Sequence, residues 1–367
     1  MKAETLSTSE SLALDVIRVL ASMMVAFGHL TQPYFSTGWR DCTIYAQACV
    51  GVFFILSGFV IRYVTCRRPS TIGHYLADRG SRIYSVAIPT LLFTVVADQI
   101  LRSARPDFYW PQWSNHGTSR VFALAMNLVF CGQLWGRRVE ALLNLPYWSI
   151  NYEVIYYIGY GCYFYLRGWS RWISVALVAI IAGPFVVGLF PLWALGCVLH
   201  DAYKNWCKHG TELRNAARLL WIPALAAVAV WLIPGHVSAI DKPFSFHNHH
   251  HLKLPLPNST VLFGFIWAVF FINILALARR FHVTSRSRTD RIVRFIAEGT
   301  FPIYLLHFPL FLVVAALIPY NHSHVFPKLM MFLASVVLGI LAGPFCNLLK
   351  LKLRSLYPSP KTQAAAR

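Results

Sequence analysis

The chain has 367 residues, of which 57% are hydrophobic and only 13% are charged, and its mean hydropathy is +0.52. Soluble domains carry about 25% charged residues, so the composition excludes ordinary soluble proteins, disordered chains and secreted disulfide scaffolds. The net charge of +19 does not indicate a nucleic-acid partner, because the Lys and Arg residues lie between apolar runs, as in the cytoplasmic loops of membrane proteins. The composition therefore predicts an integral membrane protein.

Ten apolar segments predict membrane-spanning helices. In chain order they are residues 12–30, 46–64, 82–101, 147–166, 172–187, 189–200, 217–234, 259–278, 299–318 and 329–349. A helix needs about 20 residues to cross the hydrocarbon layer, and residues 121–134 fall short of that length. This segment is therefore predicted to be a re-entrant or surface helix within an outer loop.

The distribution of positive charge supports this count. With ten crossings and a cytoplasmic N-terminus, five inner segments hold 22 of the 33 Lys and Arg residues. An eleventh crossing would place the arginine-rich segment 279–294 outside, against the positive-inside rule. The predicted fold class is an all-α polytopic membrane protein with about ten transmembrane helices. Its transmembrane domain covers residues 1–349 and a short basic cytoplasmic tail covers 350–367, with no soluble appendage.

The first predicted span carries polar residues on one face. Arg18 and His29 are 11 residues apart, which is close to three full turns, and Asp15 and Ser22 lie on the same stripe. Ionisable groups inside a bilayer cost about 2.5–3.5 kcal/mol, so they are functional candidates. His29 is a candidate general base, or a core histidine bonded to a carbonyl. Arg18 is a catalytic candidate, or the partner of Asp15 in a structural ion pair.

The predicted span that begins at residue 147 contains a second candidate group. Ser149 and Glu153 are four residues apart and face the same way, next to the aromatic ring of Trp148. A carboxylate in this position can orient an imidazole or bind sugar hydroxyls, and the indole offers a stacking face. The alternative is an aromatic belt at the membrane interface with a Glu that closes a helix-packing network.

Arg79 and Arg82 lie three residues apart at the start of the predicted third span. Guanidinium groups on adjacent turns at the membrane surface are suited to a phosphorylated ligand. The alternative is that they only contribute to the positive-inside signal. The cluster His247–His251 falls in an outer loop without helical spacing, so a solvated polar loop is favoured over a metal site.

Several motifs in the chain resemble those of the acyltransferase family 3 membrane proteins. The matching residues are Arg18 and His29 with ten residues between them, Gly51–Val60, Arg79-x-x-Arg82-Ile83-Tyr84, Trp148-Ser149-x-x-x-Glu153, and Ile303-Tyr304-Leu305-x-His307. The resemblance extends through nearly the whole hydrophobic region. The residues Asn151-Tyr152-Glu153 are similar to the corresponding residues of exopolysaccharide and Nod-factor acetyltransferases.

The resemblance implies an O-acetyltransferase of the bacterial inner membrane, with both termini cytoplasmic. Its donor is cytoplasmic acetyl-CoA, and its acceptor is a hydroxyl of exopolysaccharide, lipopolysaccharide or a lipo-chitooligosaccharide Nod factor. The catalytic residues implied are His29, Arg18 and Glu153. The residues implied to bind substrate are Arg79, Arg82, Asp15, Ser22, Trp148, Ser149, Tyr304 and His307. Direct transfer needs neither a metal nor a bound cofactor, and the partners are the two substrates and membrane lipid.

Two other classes of function fit parts of the sequence. Ten helices with a polar stripe also describe a proton-coupled or glycan transporter, although inverted halves and paired broken helices are not visible. A structural partner in a polysaccharide assembly complex is the third class. It would leave Arg18 and His29 dispensable.

Overall fold

The computed structural model describes residues 6–39, 41–67, 70–106, 118–209, 258–318 and 321–357. Within these ranges the chain forms helices joined by turns and contains no β-strand, which confirms the all-α prediction there. The α-helices are α1 (Thr8–Leu30), α2 (Thr43–Arg67), α3 (Ile72–Ala104), α4 (Arg120–Leu128), α5 (Trp148–Tyr165), α6 (Gly168–Ala182), α7 (Pro184–His209), α8 (Asn258–Ala278), α9 (Arg288–Glu298), α10 (Thr300–Leu317) and α11 (Val325–Ser355).

Helices coincide with all of the predicted spans that fall on described residues, apart from 172–187, which is divided by a break. Six helices contain segments long and apolar enough to cross a membrane, namely α1, α2, α3, α7, α10 and α11. The described residues therefore fit a polytopic membrane protein, but the predicted count of ten crossings is not confirmed. The predicted span 217–234 and the His247–His251 cluster lie outside the described residues.

The break between α6 and α7 falls at Gly183, which has φ = +79°. A β-carbon at this position would lie 2.8 Å from the Cα of Trp135, so both the backbone conformation and the available space require glycine. Pro184 then begins α7, a favourable position for proline because the first helical N–H has no partner. The sequence predicts a break between the spans 172–187 and 189–200, and the structure places it at Gly183.

The predicted re-entrant or surface segment contains the short helix α4. Ser119 caps its N-terminus by accepting a hydrogen bond from the backbone N–H of Phe122. With nine residues, α4 rises only about 14 Å, which is less than half of the hydrocarbon thickness. It is too short to cross, as expected.

The chain divides into two units, and α1 contributes residues to both. The first unit comprises residues 1–21, 44–69 and 188–294. In it, Arg62 on α2 donates from Nε and Nη2 to the carboxylate of Asp201 on α7, at 3.0 and 2.8 Å. Trp193 Nε1 donates to the Ser57 hydroxyl at 3.2 Å between the same two helices. Paired polar groups therefore join the apolar helices α2 and α7.

The second unit comprises residues 22–43, 70–187 and 295–367, and α3, α10 and α11 pack against one another in it. An ion pair between Asp78 on α3 and Arg354 on α11 joins the beginning of one helix to the end of the other, so these helices are antiparallel. Because α11 continues to Ser355, the predicted boundary at residue 349 between domain and tail falls inside a helix. Residues 350–355 continue helix α11.

Candidate active site

Two histidines from distant parts of the chain meet in the second unit. His29 lies in the last turn of α1, and its Nδ1 is 2.9 Å from Nε2 of His307 on α10. The two ring planes are nearly parallel, at 14°. The resemblance implies both residues as site residues, and the structure brings them together. The predicted orienting partner of His29 is Glu153, whereas the ring that contacts it is His307.

A backbone carbonyl determines which nitrogen of each ring carries a proton. Nδ1 of His307 is 3.0 Å from the carbonyl oxygen of Ile303, and a carbonyl can only accept a hydrogen bond. In the neutral ring His307 Nδ1 is therefore the donor and Nε2 is the acceptor. His29 must then donate from Nδ1, which leaves the lone pair of its Nε2 available as a base.

Close helix packing holds the carbonyl of Ile303 in place. A β-carbon on Gly339 of α11 would lie 2.3 Å from the Ile303 side chain and 2.7 Å from the Ile303 Cα. Only glycine therefore allows α11 to approach the α10 backbone this closely. Substitution here would displace the carbonyl that fixes the His307 tautomer.

An apolar shell surrounds the histidine pair. The ring of Phe308 meets His29 edge-on with centroids 5.4 Å apart, and Phe311 packs against His307. The buried cluster around these rings comprises Ala26, Leu30, Phe35, Ala97, Leu101, Leu143, Phe308, Phe311, Leu312 and Met331. His307 is fully buried, whereas His29 keeps partial exposure. Of the two residues, His29 is therefore the less deeply buried.

The predicted residues Ser149 and Tyr304 also meet. Their hydroxyl oxygens are 2.6 Å apart, and the Tyr304 hydroxyl lies 3.1 Å from the carbonyl oxygen of Pro146. Trp148 is half-buried, and its ring packs edge-on against Tyr152. These contacts tie the start of α5 to α10 one turn before His307.

Asn144 is a buried residue at the site that the sequence does not single out. Its amide donates to the Thr94 hydroxyl on α3 at 3.1 Å and to the Leu305 carbonyl on α10 at 3.0 Å. The fully buried amide thereby joins three parts of the second unit. A single Asn in a loop belongs to no periodic pattern, so the sequence does not indicate that Asn144 is buried at this site.

Glu153 takes part in a different contact from the predicted one. Its carboxylate accepts a hydrogen bond from the hydroxyl of Tyr157, one turn further along α5. Tyr157 in turn lies within electrostatic range of Arg82 and Arg79 on α3. Glu153 therefore belongs to a polar group that reaches toward the two arginines.

The arginine pair gains a third cation that the sequence analysis assigned to the tail. Helix α3 begins ten residues before the predicted span, so Arg79 and Arg82 lie about two and three turns inside the helix. Since Asp78 pairs with Arg354 and the helices are antiparallel, one turn onward on α3 brings Arg82 opposite Lys350. Lys350 interacts electrostatically with both arginines. Three positive side chains therefore converge between α3 and α11.

The predicted stripe on α1 is divided between the two units. The helix is continuous, but Asp15 and Arg18 belong to the first unit and Ser22 and His29 to the second. Arg18 Nη1 donates to Asp15 at 3.3 Å, which is the structural ion pair given as the alternative role for Arg18. Asp15 also pairs with Arg294 at 3.5 Å.

Glu140 is another polar residue that the sequence analysis does not single out. It lies in the segment between α4 and α5, flanked by Arg138 and Leu142, which both have positive φ. Burial raises the pKa of the Glu140 carboxyl to about 7, although the nearby Arg138 opposes the shift. A carboxyl that titrates near neutrality therefore lies in a strained loop of the second unit.

Membrane-length helices and a paired imidazole in an apolar shell define a polytopic membrane protein with a candidate proton-transfer site. The chain belongs to acyltransferase family 3, because the family model for this acyltransferase domain matches residues 11–347. The implied family membership is thus confirmed. Within the described residues, no three His, Cys, Asp or Glu side chains are grouped as metal ligands.

Two named relatives show similarity. The acyltransferase MdmB of Streptomyces mycarofaciens is 23% identical over 328 residues, which cover 81% of this chain and 78% of that protein. The exopolysaccharide production protein ExoZ of Rhizobium meliloti is 28% identical over 142 residues, covering 38% of this chain and 42% of that protein. No solved structure matches the chain.

Proposed function

We propose that the protein transfers an acetyl group from cytoplasmic acetyl-CoA to a hydroxyl of an exported or lipid-linked carbohydrate. Family membership and the similarity to a protein named for exopolysaccharide production support this proposal. The observation that carries it is the series of contacts from the Ile303 carbonyl through His307 to His29, which leaves one basic nitrogen, Nε2, on the His29 ring.

The reaction proceeds by direct transfer. His29 Nε2 accepts the proton of the sugar hydroxyl as the hydroxyl oxygen attacks the thioester carbonyl. The new C–O bond forms a tetrahedral intermediate, which collapses as the C–S bond breaks. The leaving thiolate then takes the proton from His29, so the products are the acetyl ester and the CoA thiol. His307 accepts the Nδ1 hydrogen bond of His29 throughout and acts as a positioning residue.

Charge complementarity supports a donor site at Arg79, Arg82 and Lys350. The phosphate groups of CoA carry several negative charges, and guanidinium groups bind phosphate oxygens through paired hydrogen bonds. Tyr157 interacts electrostatically with the two arginines and donates a hydrogen bond to Glu153. These contacts connect the proposed acetyl-CoA site to helix α5. In the acceptor site, Glu153 binds sugar hydroxyls and Trp148 offers a stacking surface.

The proposed orientation of the chain in the membrane rests on the distribution of its Lys and Arg residues. The excess of Lys and Arg in alternate connecting segments supports cytoplasmic termini, and both named relatives come from bacteria, which supports a bacterial inner membrane location. In this mechanism Arg18 supports α1 through its ion pair with Asp15.

The test is acyl transfer by the purified full chain in lipid nanodiscs, supplied with acetyl-CoA and an oligosaccharide from a cell-surface polysaccharide. Release of free thiol should depend on the oligosaccharide, and its mass should increase by one acetyl group. His29→Gln should abolish both signals, whereas His324→Gln, which changes an exposed histidine, should leave them unchanged. A His29→Gln variant with the wild-type rate would refute the assignment. Uptake of the oligosaccharide into sealed proteoliposomes without thiol release would indicate a transporter.

A further inference from the structure

A cleft with three cationic lining residues opens in the first unit, where α1 begins and α2 and α7 end. It holds about 490 Å³ of empty space, part of which is open to solvent. Its positive lining residues are Arg67 from the end of α2, Lys204 from α7 and Arg279, which follows α8. Three cationic side chains thus face one cavity. None of them belongs to the proposed acyl-transfer site.

Among the described residues that line this cleft, positive charges outnumber negative ones. Glu10 is the one carboxylate among the described lining residues, and it accepts hydrogen bonds from the Tyr203 hydroxyl and from the backbone N–H of Ser7. Against the three cations this leaves a net charge of about +2 at neutral pH. A dianion of small size would neutralise the cleft.

Two of the cations are held in position by tyrosines. Arg67 donates to the hydroxyl of Tyr63 and lies 5.1 Å from the centre of its ring. Arg279 hydrogen-bonds the hydroxyl of Tyr203. The guanidinium of Arg67 has five N–H donors, so further donors remain for a ligand after its bond to Tyr63. Cations near helix C-termini also interact favourably with the helix dipole, but each cation then acts only on its own helix. That effect alone does not explain why the three side chains line the same cavity.

We propose that this cleft binds a phosphate monoester. Such a group carries about −1.5 to −2 charges at pH 7, which matches the charge of the cleft, and its oxygens accept charge-assisted hydrogen bonds from guanidinium groups. A soluble phosphorylated metabolite and a lipid with a phosphomonoester headgroup share this chemistry. The proposal goes beyond acyl transfer, because inorganic phosphate and phosphatidic acid test the cleft without an acyl donor.

Two thiols in the cleft allow a direct test. Cys66 and Cys207 both line it, and Cys66 is exposed. In the full chain in neutral detergent, the alkylation of Cys66 by N-ethylmaleimide is followed by peptide mass spectrometry. The probes are inorganic phosphate, short-chain phosphatidic acid and dimethyl phosphate, at matched ionic strength. Cys131, which belongs to the second unit, is the internal control.

Inorganic phosphate or phosphatidic acid should slow Cys66 alkylation about tenfold at about ten times its dissociation constant, with no change at Cys131. The monoanion dimethyl phosphate should not protect Cys66. Protection by phosphatidic acid alone would identify a lipid headgroup as the ligand, and protection by inorganic phosphate would identify a soluble one. If neither protects, or if dimethyl phosphate protects equally, the proposal is wrong. These comparisons need only the wild-type protein.

A matched pair of variants then assigns the effect to the cleft. Arg279→Gln should raise the half-protecting concentration of phosphate about tenfold, because one charge-assisted hydrogen bond is lost. Arg280→Gln changes the adjacent exposed arginine, which does not line the cleft, and should leave that concentration unchanged. Equal effects of the two substitutions would show nonspecific attraction and overturn the assignment.

Discussion

Replacement of His307 by Leu should slow acyl transfer without weakening donor binding. His307 does not reach the substrate in the proposed mechanism, because it is fully buried behind His29. Its contribution is to accept the Nδ1 hydrogen bond and thereby keep the lone pair on Nε2 of His29. Leucine fills much of the same volume but cannot accept a hydrogen bond.

The size of the effect follows from that one contact. In His307→Leu the Nδ1–H of His29 has no acceptor, and a buried N–H without a partner costs about 1–3 kcal/mol. The tautomer that leaves Nε2 of His29 available as the base loses this amount of stabilisation. Since 1.4 kcal/mol corresponds to a factor of about ten, kcat should fall about 5- to 150-fold in His307→Leu. Removal of the base itself in His29→Gln should cost more, about 10² to 10⁴.

The assay is the steady-state rate of thiol release as the acetyl-CoA concentration is varied. The expected pattern is a lower kcat with an unchanged KM for the donor. His307→Gln should recover most of the rate, because its amide oxygen can accept the His29 hydrogen bond. The mechanism would be refuted if His307→Leu kept the wild-type kcat, or if His307→Gln lost as much activity as His307→Leu.

Three further predictions concern other residues of the second unit. Lys350→Gln should raise the KM for acetyl-CoA about fivefold, for a loss of about 1 kcal/mol, while Lys352→Gln, which changes an exposed neighbour, should not; equal KM values would exclude Lys350 from the donor site. Asn144→Ala should lower the free energy of unfolding by about 1–3 kcal/mol, because it removes hydrogen bonds to Thr94 and Leu305, and an unchanged melting temperature would contradict this role. The pKa of Glu140 is raised to about 7, so the folded state binds the proton of this carboxyl more tightly than the unfolded state does. The protonated carboxyl therefore contributes fully to stability below about pH 4.5. This contribution, up to about 3 kcal/mol, is lost as the pH rises through 7. Melting temperatures measured from pH 4.5 to 8 should therefore fall less steeply in Glu140→Gln, and parallel curves would refute the assignment.

Hydropathy located most of the helices but not all of their ends. It predicted the crossing in α3 from residue 82, whereas the helix begins at Ile72. Residues 72–81 include Asp78 and Arg79, and a hydropathy pattern reports the solvent around side chains, not the backbone hydrogen bonds of a helix. The end of α11 was missed for the same reason, since its last turns contain Lys350, Lys352 and Arg354.

The site was predicted less completely than the helices, because its contacts join distant residues. His29 and His307 are 278 positions apart, and the residues alone gave no reason to pair them; only the resemblance pointed to His307. For Glu153, the i, i+4 spacing with Ser149 indicated a shared helix face but not which neighbour that face would meet. Asn144 carried no pattern at all, so only the folded chain could show its position.

The length of α3 has a consequence for how a charged substrate approaches the lipid. At 33 residues the helix is about 50 Å long, some 20 Å more than the hydrocarbon layer, and α11 with 31 residues is nearly as long. Two helices of this length that stand perpendicular to the bilayer would project beyond the hydrocarbon layer, and Asp78 and Arg354 pair at one such end. In the proposed mechanism, acetyl-CoA that binds at this end keeps its phosphates in water, and only the uncharged arm that carries the thioester enters the protein.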